Sequence, residues 1–170
     1  MGQALAARLV PLGMRVMATD AITRSETAEK LGLERLEDPS KLNGMLPEAD
    51  FVISTVTLTP ETQGLFNRAV FERMKPMAFV VNISRGPIVN EEDLLAALNK
   101  GQIAGAALDV LNQEPPATDH PLVNHEKVVV TPHTAGSTRQ SFDALGRAVA
   151  DNVERLKKGE PLQNLVTIYM

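Results

Sequence analysis

Residues 107–133 read ALDVLNQEPPATDHPLVNHEKVVVTPH, and this stretch decides the fold class. It includes most of one apolar run, Ala106–Val110, and all of a second, Val128–Thr131, and a polar loop with a Glu-Pro-Pro turn separates them. Strands that are buried on both faces of a parallel sheet are continuously hydrophobic, so both runs predict strands of that kind. Ligands of open parallel sheets bind in the crevice beyond the carboxyl ends of the strands. Polar residues that directly follow these two runs are therefore the first candidates for a functional site.

Four side chains at or just past strand ends form the candidate functional set, in which Arg85, Glu114 and His133 are the catalytic candidates. Asp109 lies at the end of the first run, His133 follows the second run after Pro132, and Glu114 follows the first run after a short loop. An acid and an imidazole in one crevice can move a proton near neutral pH. Arg85 ends a third run, Phe79–Ser84, and a guanidinium there can bind a carboxylate through two parallel hydrogen bonds. Each residue alone has a structural alternative (a surface arginine, a residue before a Pro-Pro turn, a core histidine), but their joint position favours one active site.

The rest of the chain alternates predicted strands and helices with short connections. This order predicts a doubly wound parallel α/β sheet, and 170 residues are too few for an eight-unit barrel of roughly 250 residues. The further predicted strands are Met14–Thr19 and Asp50–Val56. The predicted helices are Gly2–Val10, Glu26–Leu31, Pro39–Leu46, Asn67–Met74, Glu91–Asn99 capped by Asn90, and a long one to Lys158 capped by Ser137 or Thr138.

Composition excludes several classes of function. A net charge of −4 without a basic cluster argues against nucleic-acid binding, and no apolar run reaches the roughly 20 residues that span a membrane. The absence of cysteine removes thiolate chemistry and favours a reducing compartment, so we expect a cytoplasmic protein. His120 and His125 lie in a polar loop, and their spacing from carboxylates predicts no metal site.

Asp20 and Gly2 are candidate dinucleotide-binding residues. An acidic residue that closes the second strand of a dinucleotide fold accepts hydrogen bonds from the adenosine ribose, as Asp20 would. Gly2 has the spacing of the last glycine of a Gly-x-Gly-x-x-Gly loop, whose other glycines and preceding strand are absent. The alternative for Asp20 is a solvated loop carboxylate without a ligand. Asp20 favours NAD as the cofactor, and the nearby Arg24 leaves NADP as a weaker alternative.

Four motifs in order resemble the D-isomer-specific 2-hydroxyacid dehydrogenases over nearly the whole chain. They are Leu58–Thr62 with Gly64-Leu65, Asn82–Gly86 leading to Ile88-Val89, Ala106–Val110 with Glu114-Pro115, and Thr131–His133. Thr57 and Asn90 depart from residues that are frequent in the family, proline and aspartate respectively.

The resemblance implies the roles of the site residues. His133 would be the general acid/base, Glu114 its partner and Arg85 the residue that binds the substrate and polarises its carbonyl. Asp109 would contact the nicotinamide carboxamide, and the substrate would be a small 2-hydroxy or 2-keto acid. The full set of cofactor-binding candidates is Gly2, Asp20, Thr55, Val56, Ile83, Ser84, Arg85, Asp109, His133 and Gly136.

The resemblance also predicts that this chain is one part of a two-domain enzyme. We expect residues 1–159 to form a partial dinucleotide-binding domain and 160–170 to lead to a missing substrate domain. We expect weak NAD binding, little turnover, and a homodimer to which the helix Asn67–Met74 contributes. The alternative is a catalytically silent module that acts in binding or dimerisation.

Overall fold

The structure is a computed structural model that describes residues 1–165. These residues form two compact units, the first Met1–Pro132 and the second beginning at His133. The predicted division at residue 160 stays a prediction, and residues 166–170 of the predicted tail lie outside the described residues. Among the described residues, no helix is both long enough and apolar enough to cross a membrane.

The first unit contains six parallel strands in two sheets, which confirms the predicted α/β class. The smaller sheet pairs β1 (Met17–Thr19) with β2 (Arg35–Glu37), and the larger has the order β3-β4-β5-β6. The strands of the larger sheet are β3 (Phe51–Ser54), β4 (Phe79–Asn82), β5 (Gly105–Leu108) and β6 (Val128–Val130).

Helices lie between the strands from β1 to β5, and one further helix precedes β1, whereas β5 and β6 are joined by a segment without a helix. In chain order the helices are α1 (Gly2–Leu9), α2 (Ser25–Leu31), α3 (Leu42–Met45), α4 (Arg68–Phe71) and α5 (Glu91–Asn99), with 3₁₀ turns at Val10–Leu12, Pro39–Lys41, Leu46–Glu48 and Gly86–Ile88. The predicted cap at Asn90 is confirmed, because its side chain accepts the Asp93 N–H at 3.0 Å. Asn67 caps α4 in the same way.

The predicted helix Pro39–Leu46 is wrong in detail, and β2 was not predicted. Two 3₁₀ turns flank only four residues of α-helix there, because proline at 39 and 47 supplies no backbone N–H and Gly44 weakens the helix between them. β2 has only one apolar residue, Leu36, between two charged ones, so its sequence resembles a loop. Only its pairing with β1 makes it a strand.

The hydrophobic core belongs to the larger sheet. Val80, Ile88 and Leu94 are fully buried there, and the buried cluster extends from Leu46 to Leu122 along the chain. The smaller sheet adds no buried residue. A cavity of about 530 Å³ lies between the two sheets and is lined by every residue of β1 and β3.

The second unit contains α6 (Arg139–Lys158). Thr138 caps it in a capping box with Ser141, and Gly159 ends it with a positive φ of 69°, as predicted. One face of α6 carries a stripe of exposed apolar side chains: Phe142, Leu145, Val149, Val153 and Leu156.

Candidate functional site

The parallel register of the larger sheet aligns the ends of its four strands. Ser54 pairs with Asn82, Asn82 with Leu108, and Leu108 with Val130. The next residue of each chain segment therefore forms a row just beyond the carboxyl edge: Thr55, Ile83, Asp109 and Thr131. Ligands of open parallel sheets bind at this edge, so the sequence-predicted residues lie where such a ligand is expected.

The turn that carries Arg85 is held by buried polar side chains. Asn82 is completely buried, and its amide group accepts the Ser84 N–H at 3.1 Å and donates to the Arg85 carbonyl at 2.9 Å. Ser54 donates its hydroxyl to Ser84 Oγ at 3.0 Å, which joins the ends of β3 and β4. The Arg85 guanidinium donates to the Ser84 carbonyl at 2.7 Å. These bonds fix the backbone from which the Arg85 side chain starts.

The turns that carry Arg85 and Glu114 are in direct backbone contact. Gly86 is buried, and a Cβ at this position would overlap the carbonyl of Leu111. Only glycine permits this approach. On the other side of the contact, Glu114 Oε1 accepts the Leu111 N–H at 3.0 Å. The first unit thus brings the Arg85 turn and the Glu114 turn together.

Asp109 is buried beside the end of β6. It is 6% exposed, and its Oδ1 accepts the hydroxyl hydrogen of Thr131 at 2.5 Å. Its backbone N–H donates to the Asn82 carbonyl at 3.0 Å. A buried carboxylate needs such donors to offset its lost hydration. The predicted nicotinamide contact of Asp109 stays a prediction.

Four of the predicted cofactor-binding residues line the cavity between the two sheets. They are Gly2, Asp20, Thr55 and Val56. A Cβ at Gly2 would lie 2.9 Å from Thr55 Oγ1, so the first turn of α1 passes very close to the end of β3. Asp20 is exposed, and its Oδ1 accepts the Ile22 N–H at 2.9 Å.

A second cavity, of about 280 Å³, lies at the same edge of the sheet. Thr55, Val56, Ile83, Ser84 and Arg85 line it, together with Met1, Thr57 and Leu58. Thr55 and Val56 border both cavities. Seven of the ten cofactor-binding candidates therefore line two cavities that share a wall.

The Leu58–Thr62 motif forms a compact turn beside this second cavity. Thr62 Oγ1 accepts the Thr59 N–H at 2.8 Å and donates to the Thr57 carbonyl at 2.7 Å. A hydrogen bond from the Thr59 side chain holds the pKa of Glu61 below its ordinary value. The motif thus shapes the cavity wall through hydrogen bonds within the turn.

His133 and Gly136 belong to the second unit. His133 is its first residue and has a positive φ of 53°, a left-handed conformation that is uncommon for a residue with a side chain. The Gly136 carbonyl accepts the Ser141 hydroxyl at 2.7 Å, next to the cap of α6. The approach of His133 to Arg85 and Glu114 stays a prediction.

Sequence reasoning missed the residues that support the site. Thr131 was noted only as part of a motif, although β5 and β6 are neighbours and place it opposite Asp109. The structural role of Asn82 has a signal in the sequence, because an asparagine that ends an apolar strand commonly bonds the backbone of the next turn. The contact between Gly86 and Leu111 has no local signal.

Comparison with protein families identifies one match over residues 1–135. The matching model describes the NAD-binding domain of D-isomer-specific 2-hydroxyacid dehydrogenases. A glyoxylate reductase of Korarchaeum cryptofilum is 40% identical over 165 residues, which are 97% of this chain and 48% of that protein. The chain spans between about a quarter and a half of the length of the curated relatives it matches.

Solved structures give the same result. D-lactate dehydrogenase from Lactobacillus jensenii, crystallised with NAD⁺, is 27% identical with a TM-score of 0.86, over 98% of this chain and 52% of that one. An NADPH-dependent glyoxylate/hydroxypyruvate reductase from Sinorhizobium meliloti, in complex with NADP and sulfate, is 30% identical with a TM-score of 0.82, over 97% and 52%. The Rossmann-like fold is confirmed, and the NAD expectation is confirmed for the domain family.

Proposed function

The chain belongs to the D-isomer-specific 2-hydroxyacid dehydrogenase family, and on that premise we propose that it is the cofactor-binding part of an NAD-dependent oxidoreductase. The enzyme would interconvert a D-2-hydroxy acid and its 2-keto acid. The observation that carries this proposal is the placement of Arg85 and Glu114 on two turns in backbone contact, beside the cavities lined by the cofactor candidates.

The residues around the larger cavity fit a dinucleotide. α1 begins at Gly2 without a side-chain cap, so its first N–H groups and its dipole can receive a pyrophosphate. Asp20 can accept hydrogen bonds from a ribose diol, and its charge would repel a 2′-phosphate. Bound nicotinamide supplies a hydride acceptor for oxidation and a hydride donor for reduction.

The protein's own residues would bind the substrate and move the proton. The Arg85 guanidinium would bind the substrate carboxylate and polarise the C2 carbonyl, since its planar donors match a carboxylate. His133 would take the C2 hydroxyl proton in oxidation and return it in reduction. Glu114 would orient the His133 ring and hold its tautomer.

The test is an assay of the protein that carries this sequence, with a panel of 2-keto acids and either NADH or NADPH. We expect reduction with NADH, and a fall in kcat/KM of about 10²-fold or more in Arg85→Gln. Arg73→Gln, an exposed arginine, is the control and should keep full activity. Equal activity of the two variants would exclude the role of Arg85, and no reduction of any 2-keto acid would favour a silent binding module.

A further inference from the structure

Glu91, at the start of α5, bonds both ends of the segment that carries Glu114. Its Oε1 accepts the Asn112 N–H at 2.8 Å, and its Oε2 lies 3.4 Å from Nε2 of His120. The side chains of Glu91 and His120 are only 18% and 16% exposed. One carboxylate thus anchors the segment two residues before Glu114 and again six residues after it.

In the contact between His120 and Glu91, the imidazole ring is the donor. Nδ1 of His120 accepts the Leu122 N–H at 3.3 Å, so the ring proton lies on Nε2, which faces Glu91. Leu122 itself is 1% exposed and belongs to the core cluster. His120 therefore connects Glu91 to a buried, fixed part of the loop.

A third contact restrains the same segment from the Arg85 side. The backbone at Leu111 and Asn112 rests directly on Gly86, and Leu111 donates its N–H to Glu114. The Asn112 N–H, next in the chain, is the donor that Glu91 binds. The bond to Glu91 therefore holds Asn112 at the point where the two turns meet.

We propose that Glu91 is a positioning residue for Glu114, acting through Asn112 and His120. It holds the 111–120 segment against the Arg85 turn and so sets where the Glu114 carboxylate lies. The inference rests on the proposed function for its catalytic meaning, but the positioning itself is a property of this chain alone. A wrong position of about 1 Å for such a group is costly for catalysis.

Glu92 provides a matched control. It follows Glu91 in the same first turn of α5, carries the same charge near the helix N-terminus, and is exposed. Within the described residues its side chain makes no hydrogen bond or ion pair. Substitution of Glu92 therefore changes the helix dipole interaction equally but leaves the 111–120 segment untouched.

The test is amide hydrogen exchange measured by NMR on the 170-residue chain. In Glu91→Ala we expect the exchange rate of the Asn112 amide to rise about tenfold, because the loss of one hydrogen bond lowers the free energy of local opening by the amount that corresponds to that factor. The exchange rate of the Leu111 amide should rise with it. Glu91→Gln should lie between this variant and the parent, since its amide oxygen can still accept from Asn112 while its NH₂ faces the Nε2 proton. Glu92→Ala should match the parent.

Two results would overturn the proposal. One is unchanged exchange at Leu111 and Asn112 in Glu91→Ala. The other is an equal rise in β4 and β5, which would mean that Glu91 only stabilises the fold. Because this measurement needs neither cofactor nor substrate, its result tests the positioning role of Glu91 independently of the dehydrogenase assignment. In the active protein, Glu91→Ala should lower kcat about tenfold while the KM for NADH is unchanged.

Discussion

The two sheets of the first unit are both parallel, yet only one has a core. β4 lies between two strands, and its Val80 and Asn82 are completely buried. β1 has a single partner, and all three of its residues are only partly buried. A two-stranded sheet is marginally stable by itself, whereas further strands and packed helices supply buried area. The burial of a strand here depends more on its neighbouring strands and helices than on its own sequence.

The difference in burial between the two sheets also distinguishes two groups of candidate site residues. Arg85, Asp109 and Glu114 follow strands of the larger sheet, where buried side chains and backbone contacts hold their turns. Asp20 follows β1 and is exposed. We therefore expect the substrate-binding side of the site to be more rigid than the side that would hold the adenosine ribose.

The largest expected effect compares two leucine-to-alanine substitutions. Leu94, in α5, is completely buried, and Leu94→Ala should lower the free energy of unfolding by about 2–5 kcal/mol. Leu36, in β2, is only partly buried, and Leu36→Ala should cost about 1 kcal/mol or less. Urea unfolding followed by circular dichroism measures both. Equal losses would contradict a core confined to the larger sheet.

A smaller effect tests the edge of the larger sheet. Thr131→Val removes the hydroxyl that donates to the buried Asp109 and should lower the free energy of unfolding by about 1–2 kcal/mol. Thr118→Val, at an exposed position in the loop, is the isosteric control and should be close to neutral. If the two variants unfold at the same urea concentration, the hydroxyl does not support Asp109.

The smallest effect concerns an exposed ion pair between the segments that lead into β1 and β2. Arg15 donates two hydrogen bonds to Glu34, at 2.6 and 2.8 Å, and these bonds lower the pKa of Glu34. A carboxyl pKa that is lower in the folded state gives stability above the ordinary carboxyl pKa, and this stability is lost as the pH falls through the lowered value. Arg15→Met should return the pKa of Glu34 toward its ordinary value.

Side-chain carbon NMR during an acid titration measures that change. Arg8→Met is the control, because among residues 1–165 the Arg8 side chain bonds only the backbone carbonyl of Ala4. An unchanged Glu34 titration in Arg15→Met would show that the pair is not formed in solution. The effect on stability should be slight in either case, since exposed pairs are screened by solvent.

Local patterns correctly predicted how the helices α5 and α6 begin or end. The helix caps at Asn90 and Thr138 and the end of α6 at Gly159 are short-range hydrogen-bond or backbone features, so a few residues suffice to specify them. The predicted strands were too long, however. The run Phe79–Ser84 pairs as a strand only to Asn82, because the Asn82 side chain bonds the following turn.

The sequence by itself determined the fold class, the family motifs and the order of the candidate residues along the chain. Periodicity, capping and turn chemistry act over a few residues, and they are visible without coordinates. The tertiary structure alone decided that β2 is a strand, that Gly86 rests on Leu111, and that Glu91 bonds both ends of the Glu114 segment. Those contacts join residues about 18 to 29 positions apart, and only the packing of parallel strands and their helices brings them together.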